Sequence, residues 1–159
     1  MRSSLEIASS RPIPSRDHAP GMSEPNPILL FDGVCNLCDG AVQFVMRHDR
    51  AERFRFASLQ SDVATPYLDR AGLEADYLAS LVLVDESGQI HIGSDAALEV
   101  GRRLDAPWSG LARAGLAVPR AIREPIYRGI AKSRYRVFGK KDECRIPTPS
   151  ERARFLDFG

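Results

Sequence analysis

The chain has 159 residues, 43% of them hydrophobic and 27% charged, and 22 basic against 21 acidic side chains leave a net charge of +1. That is the length and balance of one globular domain with its own core. It excludes a collagen, a coiled coil, a generic polyanion binder and, with no apolar run near the roughly 18 residues a bilayer demands, a membrane span.

Residues 1–26, MRSSLEIASSRPIPSRDHAPGMSEPN, are rich in Ser, Pro and Arg and poor in aliphatics. Such a stretch cannot bury enough apolar surface to offset its ordering entropy, so a disordered tail is expected. Met22 offers an alternative natural start, which would make residues 1–21 non-native. From Pro27 the character changes. Ile28-Leu29-Leu30-Phe31 suits a buried strand and ends at the turn pair Asp32-Gly33. Leu37, Ala41, Phe44 and Val45 then share one face of a helix ending near His48-Asp49. Arg53 to Ala57 alternates like a half-buried strand. Residues 60–71 read as a second helix whose main part Pro66 must begin or kink. Leu81 to Val84 and Gln89 to Ile92 flank the turn Asp85-Glu86-Ser87-Gly88 as a hairpin. Ser94 is a good N-cap for a helix running to about Leu104. The order is β-α-β-α-β-β-α. Beyond Pro107 two or three short helices are expected, broken by Pro119 and Pro125, with Trp108 packing the first. A polar tail follows Gly139.

The neutral total hides an asymmetry. Residues 1–101 carry 8 basic and 15 acidic side chains, and residues 102–159 carry 14 basic and 6 acidic. The two halves face each other or are simply solvated, or else the basic helices with Arg113, Arg120, Arg123, Arg128, Lys132, Arg134 and Arg136 meet an anionic partner or a membrane surface.

One constellation carries chemistry: Asp32-Gly33-Val34-Cys35-Asn36-Leu37-Cys38. Two intervening residues let both sulfurs meet across the first turn of a helix. The unpaired amides and dipole at that terminus favour an anion, and a thiolate is the nucleophilic form of cysteine. The spacing therefore assigns attack to Cys35 and resolution to Cys38, one turn further in and expected to be the more buried. A Cys-x-x-Cys pair opening a helix within β-α-β favours thioredoxin-like redox exchange over zinc. A structural zinc site needs four ligands, and His18, His48 and His91 do not complete one pattern. Asp32 either shapes the turn or relays a proton to the thiol pair. Asp39 supports the helix terminus electrostatically. The run ILLFDGV is superficially like a phosphatase nucleophile loop, but no second aspartate stands two residues from Asp32. Three cysteines are too few and too odd in number for a disulfide framework, which points to the cytoplasm.

The segment Leu30 to Cys38, LFDGVCNLC, resembles the DCC family of thiol–disulfide oxidoreductases, named for its Asp and two Cys. Phe56-Ala57-Ser58-Leu59-Gln60, Ser94-Asp95-Ala96-Ala97 and the block from Ala131 to Lys141, with Cys144 and Pro147-Thr148-Pro149, resemble further family segments. The resemblance covers about residues 28–156. It implies an α/β fold: a thioredoxin-like core over residues 27–106, and a helical C-terminal extension and tail over 107–159 packed on it. It implies Asp32, Cys35 and Cys38 as functional residues, exchanging electrons with a disulfide-bearing protein or low-molecular-weight thiol. No bound cofactor, metal or nucleic acid is expected. The chain departs from thioredoxin proper: Leu78-Ala79-Ser80 holds no proline before the facing strand, and Val34 replaces the usual tryptophan. Cys144 is either a structural thiol or an accessory one, brought over the pair if the C-terminal block folds back, with Arg134, Tyr135 and Arg136 anchoring that block. The alternative function is a non-catalytic thioredoxin-like binding module whose thiols are structural or hold metal.

Overall fold

A computed structural model describes residues 26–74, 81–140, 142 and 146–158. The expectations for the tail before Asn26, for His18, for Leu78-Ala79-Ser80 and for Cys144 lie outside them.

Strand β1 (Ile28–Phe31) is buried at every position. Its unbroken apolar run suits a strand covered on both faces. Because successive side chains alternate, Leu29 and Phe31 join one apolar cluster and Ile28 and Leu30 the other. Strand β2 (Arg55–Ser58) pairs with it in parallel, Ile28 opposite Arg55. Strands β3 (Val82–Val84) and β4 (Ile90–Ile92) add antiparallel on the other side, giving the order β2-β1-β3-β4. Helices α1 (Asn36–His48) and α3 (Ser94–Arg102) cover one face through Val42, Val45, Ala96 and Val100. Helix α2 (Thr65–Ala71) covers the other through Leu68. This is a thioredoxin-like core with a helical C-terminal part.

Pro66 opens α2, where its missing N–H costs nothing, and residues 60–64 are turns rather than helix. Ser94 does not cap α3. Gly93, at φ 67°, takes the capping position, and Ser94 becomes the first helical residue, its hydroxyl donating to Glu124 at 2.5 Å.

Among the described residues the C-terminal part holds two α-helices, α4 (Trp108–Leu116) and α5 (Arg120–Phe138). Pro119 separates them as expected, but Pro125 lies inside α5 without ending it. The bond it forfeits belongs to the carbonyl of Ala121, and both residues are exposed, so water can take that acceptor. Trp108 packs edge-on against Phe44 at 4.8 Å, tying α4 to α1. Arg123 bonds Asp95 at 2.5 Å, so one of the basic residues of α5 faces the acidic first turn of α3. The polar tail returns to the core. After a single 3-10 turn (Arg152–Arg154), Phe155 is 2% exposed and stacks near Phe56, ring centroids 5.4 Å apart. Arg154 reaches the buried Asp49 at 2.5 Å. No described helix is long and apolar enough to cross a membrane.

Candidate active site

The site forms where β1 runs out. The Asp32 side chain folds back to accept the Val34 amide at 3.1 Å, and the Asp32 carbonyl accepts the Cys35 amide at 3.3 Å. Asx turns of this kind let a strand stop sharply. Cys35 is then the N-cap of α1, in extended conformation at φ −86° and ψ 124°. Its sulfur accepts the backbone amide of Cys38 at 3.5 Å, the place an N-cap oxygen normally fills. The first turn of the helix thus directs a donor at the Cys35 sulfur, a geometry that favours negative charge there.

Asp32 is almost wholly buried, and both of its oxygens are in use. Oδ1 accepts Gln60 Nε2 at 2.8 Å besides the Val34 amide. Oδ2 accepts the Tyr135 hydroxyl and, at 3.4 Å, Arg134 Nη2. Gln60 also accepts the Gly33 amide through Oε1 at 3.2 Å. The carboxylate therefore joins three segments: the cysteine loop, the turn after β2, and the last turns of α5. Of the two readings of Asp32, this geometry supports the shaping one.

The same contacts bring the C-terminal chain over the cysteines. Gly139, at φ 82°, turns the chain out of α5, and Lys140 forms an antiparallel bridge with Cys35. Asn36 fastens it: its side-chain amide donates to the Phe138 carbonyl at 2.7 Å and its backbone amide to the Gly139 carbonyl at 3.4 Å.

This cover reverses the expected order of burial. Cys35 is 0% exposed, whereas Cys38 is only partly buried. Position in the helix predicts Cys38 as the inner thiol; the strap over Cys35, which arrives from a hundred residues away, decides otherwise. Burial still pushes the Cys38 thiol up to about 12, aided by its hydrogen bond to the Cys35 sulfur and by that sulfur's charge. Arg134 and a hydrogen bond to the Asp32 backbone pull the other way. Beside Cys38 opens a cavity of about 210 Å³ whose lining includes Leu37, Cys38, Ala41, Ile130, Ala131 and Arg134.

The structure therefore unites Asp32, Cys35 and Cys38, with Arg134 and Tyr135 as anchors. Asn36, Gln60, Gly139 and Lys140 are further site residues that sequence reasoning did not single out as such. Gln60 lies in a recognisable segment, but nothing local to Asn36 signals a partner beyond residue 137. His48 and His91 serve their own surroundings, His48 against the Phe44 carbonyl at 2.8 Å and His91 against Asp85 at 2.9 Å. Among the described residues no group of three or more His, Cys, Asp or Glu is arranged to hold a metal ion.

Residues 29–140 match the model of the DCC1-like thiol-disulfide oxidoreductase family. The uncharacterized protein YuxK of Bacillus subtilis (strain 168) is 48% identical over 132 residues, covering 83% of this chain and 95% of that protein. The DCC family protein At1g52590, chloroplastic, of Arabidopsis thaliana is 42% identical over 120 residues, 76% of this chain and 69% of its own length. No solved structure matches significantly. The chain belongs to the DCC1-like thiol-disulfide oxidoreductase family.

Proposed function

We propose that the protein is an enzyme of thiol–disulfide exchange, cycling Cys35 and Cys38 between dithiol and disulfide against a disulfide-bearing protein or a low-molecular-weight thiol. The observation that carries this reading is the Cys38 amide directed at the Cys35 sulfur at 3.5 Å. That arrangement sets both cysteines at the start of α1 and supplies charge stabilisation to one of them. In exchange, a thiolate attacks one sulfur of a disulfide, a new S–S bond forms, and the displaced sulfur leaves with the electron pair. A second attack by the remaining thiol releases the mixed intermediate. Electrons enter and leave through the sulfurs alone, so no cofactor is required. Asp32 is a positioning residue in this reading. Its ties to Gln60, Arg134 and Tyr135 hold the loop that presents both cysteines. A thiol-keeping compartment such as the cytoplasm suits a pair that must return to the reduced state.

The test is trapping. Cys35→Ser and Cys38→Ser each lack a resolving thiol, so mixed disulfides with glutathione or with client proteins should persist on them and not on the parent, forming faster on the partly exposed Cys38 of the first than on the covered Cys35 of the second. The double variant should carry none at this pair. Two single variants that stay unmodified by oxidised glutathione and by a reactive aromatic disulfide would make the thiols structural and the protein a binding module.

A further inference from the structure

The two sulfurs are not equivalent toward an incoming molecule. Cys35 is sealed under Gly139 and Lys140 and is 0% exposed. Cys38 stands in the wall of the cavity between α1, α3 and α5. We infer that a small thiol with an apolar body enters this cavity and reacts at Cys38 of the oxidised pair, with Cys35 as the leaving sulfur. The inference rests on the redox reading above and adds its substrate class and its point of attack.

Three observations carry it. The first is access, since only Cys38 borders open space. The second is the leaving group. Exchange is fastest when the displaced sulfur can hold negative charge, and the Cys35 sulfur already accepts the Cys38 amide at the start of α1. The third is the shape and chemistry of the space. Its volume of about 210 Å³ somewhat exceeds the roughly 150 Å³ of an engineered apolar cavity that takes up benzene. It admits one aromatic ring or a short branched chain, and is too small for a folded partner surface. Its lining is almost wholly carbon, and three alanines, Ala41, Ala97 and Ala131, keep it open. Apolar surface moved from water into such a lining is stabilised without any need for polar matching.

The step balances. The substrate thiolate attacks the Cys38 sulfur of the Cys35–Cys38 disulfide. The substrate–Cys38 bond forms, the bond between the two cysteines breaks, and Cys35 takes the electron pair. A second substrate thiolate then attacks the substrate sulfur of the mixed disulfide and displaces Cys38, which takes a proton from water. Two thiols become one disulfide, and the protein's disulfide becomes a dithiol. Run backwards, the same steps reduce a small apolar disulfide.

The experiment uses the full chain oxidised at Cys35 and Cys38, and as reference an oxidised peptide of residues 31–41. Each is reacted with benzyl mercaptan and with glutathione at matched thiolate concentration. The preference for benzyl mercaptan should be at least tenfold larger on the protein than on the peptide. After acid quenching and maleimide capping, the benzylthio group should sit on Cys38 and the maleimide on Cys35. Ala131→Phe fills the cavity and should erase the preference, slowing benzyl mercaptan at least tenfold more than glutathione. Ala41→Leu serves the same purpose should the first variant not fold. Equal preferences in protein and peptide, or a benzylthio group on Cys35, would overturn the inference and leave the redox reading standing. A chain that forms no Cys35–Cys38 disulfide under any oxidant would overturn both.

Discussion

Replacing Asp32 by Asn keeps the shape of the side chain and removes its charge. The carboxylate is 1% exposed and accepts four donors: the Val34 amide, Gln60, Tyr135 and Arg134. An amide offers one accepting oxygen where two stood. If that oxygen faces Val34 and Gln60, the NH₂ group meets the guanidinium of Arg134; if it faces Arg134, the NH₂ group meets the Val34 and Gln60 donors. Either way Arg134, itself 6% exposed, loses the Asp32 carboxylate. Breaking a buried pair from one side costs about 3–5 kcal/mol, and the lower end applies because Tyr135 can turn its hydroxyl to accept. A loss of about 3 kcal/mol lowers the melting temperature of a domain this size by about 10 °C. Urea unfolding followed through Trp108 measures the first quantity and a thermal scan the second. The same variant should expose Cys35 to iodoacetamide, because Arg134 and Tyr135 lead directly into the strap over it. Stability within about 0.5 kcal/mol of the parent, the range of an ordinary surface change, together with unchanged protection of Cys35, would refute the claim that Asp32 holds the site together.

Asn36→Ala removes the 2.7 Å bond to the Phe138 carbonyl. A bond of this kind contributes about 1 kcal/mol, so Cys35 alkylation in the Cys38→Ser background should quicken about fivefold, read by intact mass over time. Phe155→Ala deletes a ring packed on Phe31 and Phe56 at 2% exposure. It should cost about 3–5 kcal/mol in urea unfolding, an outcome no loosely attached tail would give. The Cys38 thiol holds its proton up to about 12, against 9.0 for an ordinary thiol. The native state then binds that proton more tightly than the unfolded chain. Its contribution is complete below about pH 9 and is lost progressively toward pH 12, with a slope approaching 1.4 kcal/mol per pH unit. Between pH 8.5 and 10.5 the parent should lose more stability than Cys38→Ser, and parallel profiles would refute the burial argument.

How much of this was legible in the sequence varies by element. Strand β1 and helix α1 were readable because ILLF is an unbroken apolar run and the next apolar residues follow a helical period. The hairpin was readable because Asp85 to Gly88 is a turn between two short β-branched runs. The path of α5 through Pro125 was not, since a proline whose orphaned carbonyl faces water disturbs a helix little. Nor was the burial of Arg154, whose charge is met by Asp49 more than a hundred residues earlier. In the site, Asp32, Cys35 and Cys38 stood out by chemistry and spacing. Which sulfur meets the outside did not, because the strap at Gly139 and Lys140 sets it through contacts that only the folded chain makes.

The proposed function stands on Cys35 and Cys38 forming a reversible redox pair. Equilibrating the full chain across a series of glutathione redox buffers, quenching with acid, capping free thiols with maleimide and reading peptide masses tests it most directly. A reversible pair gives an intramolecular Cys35–Cys38 disulfide that forms and disappears in a single two-electron transition. Both cysteines remaining capped by maleimide at every buffer ratio would contradict it.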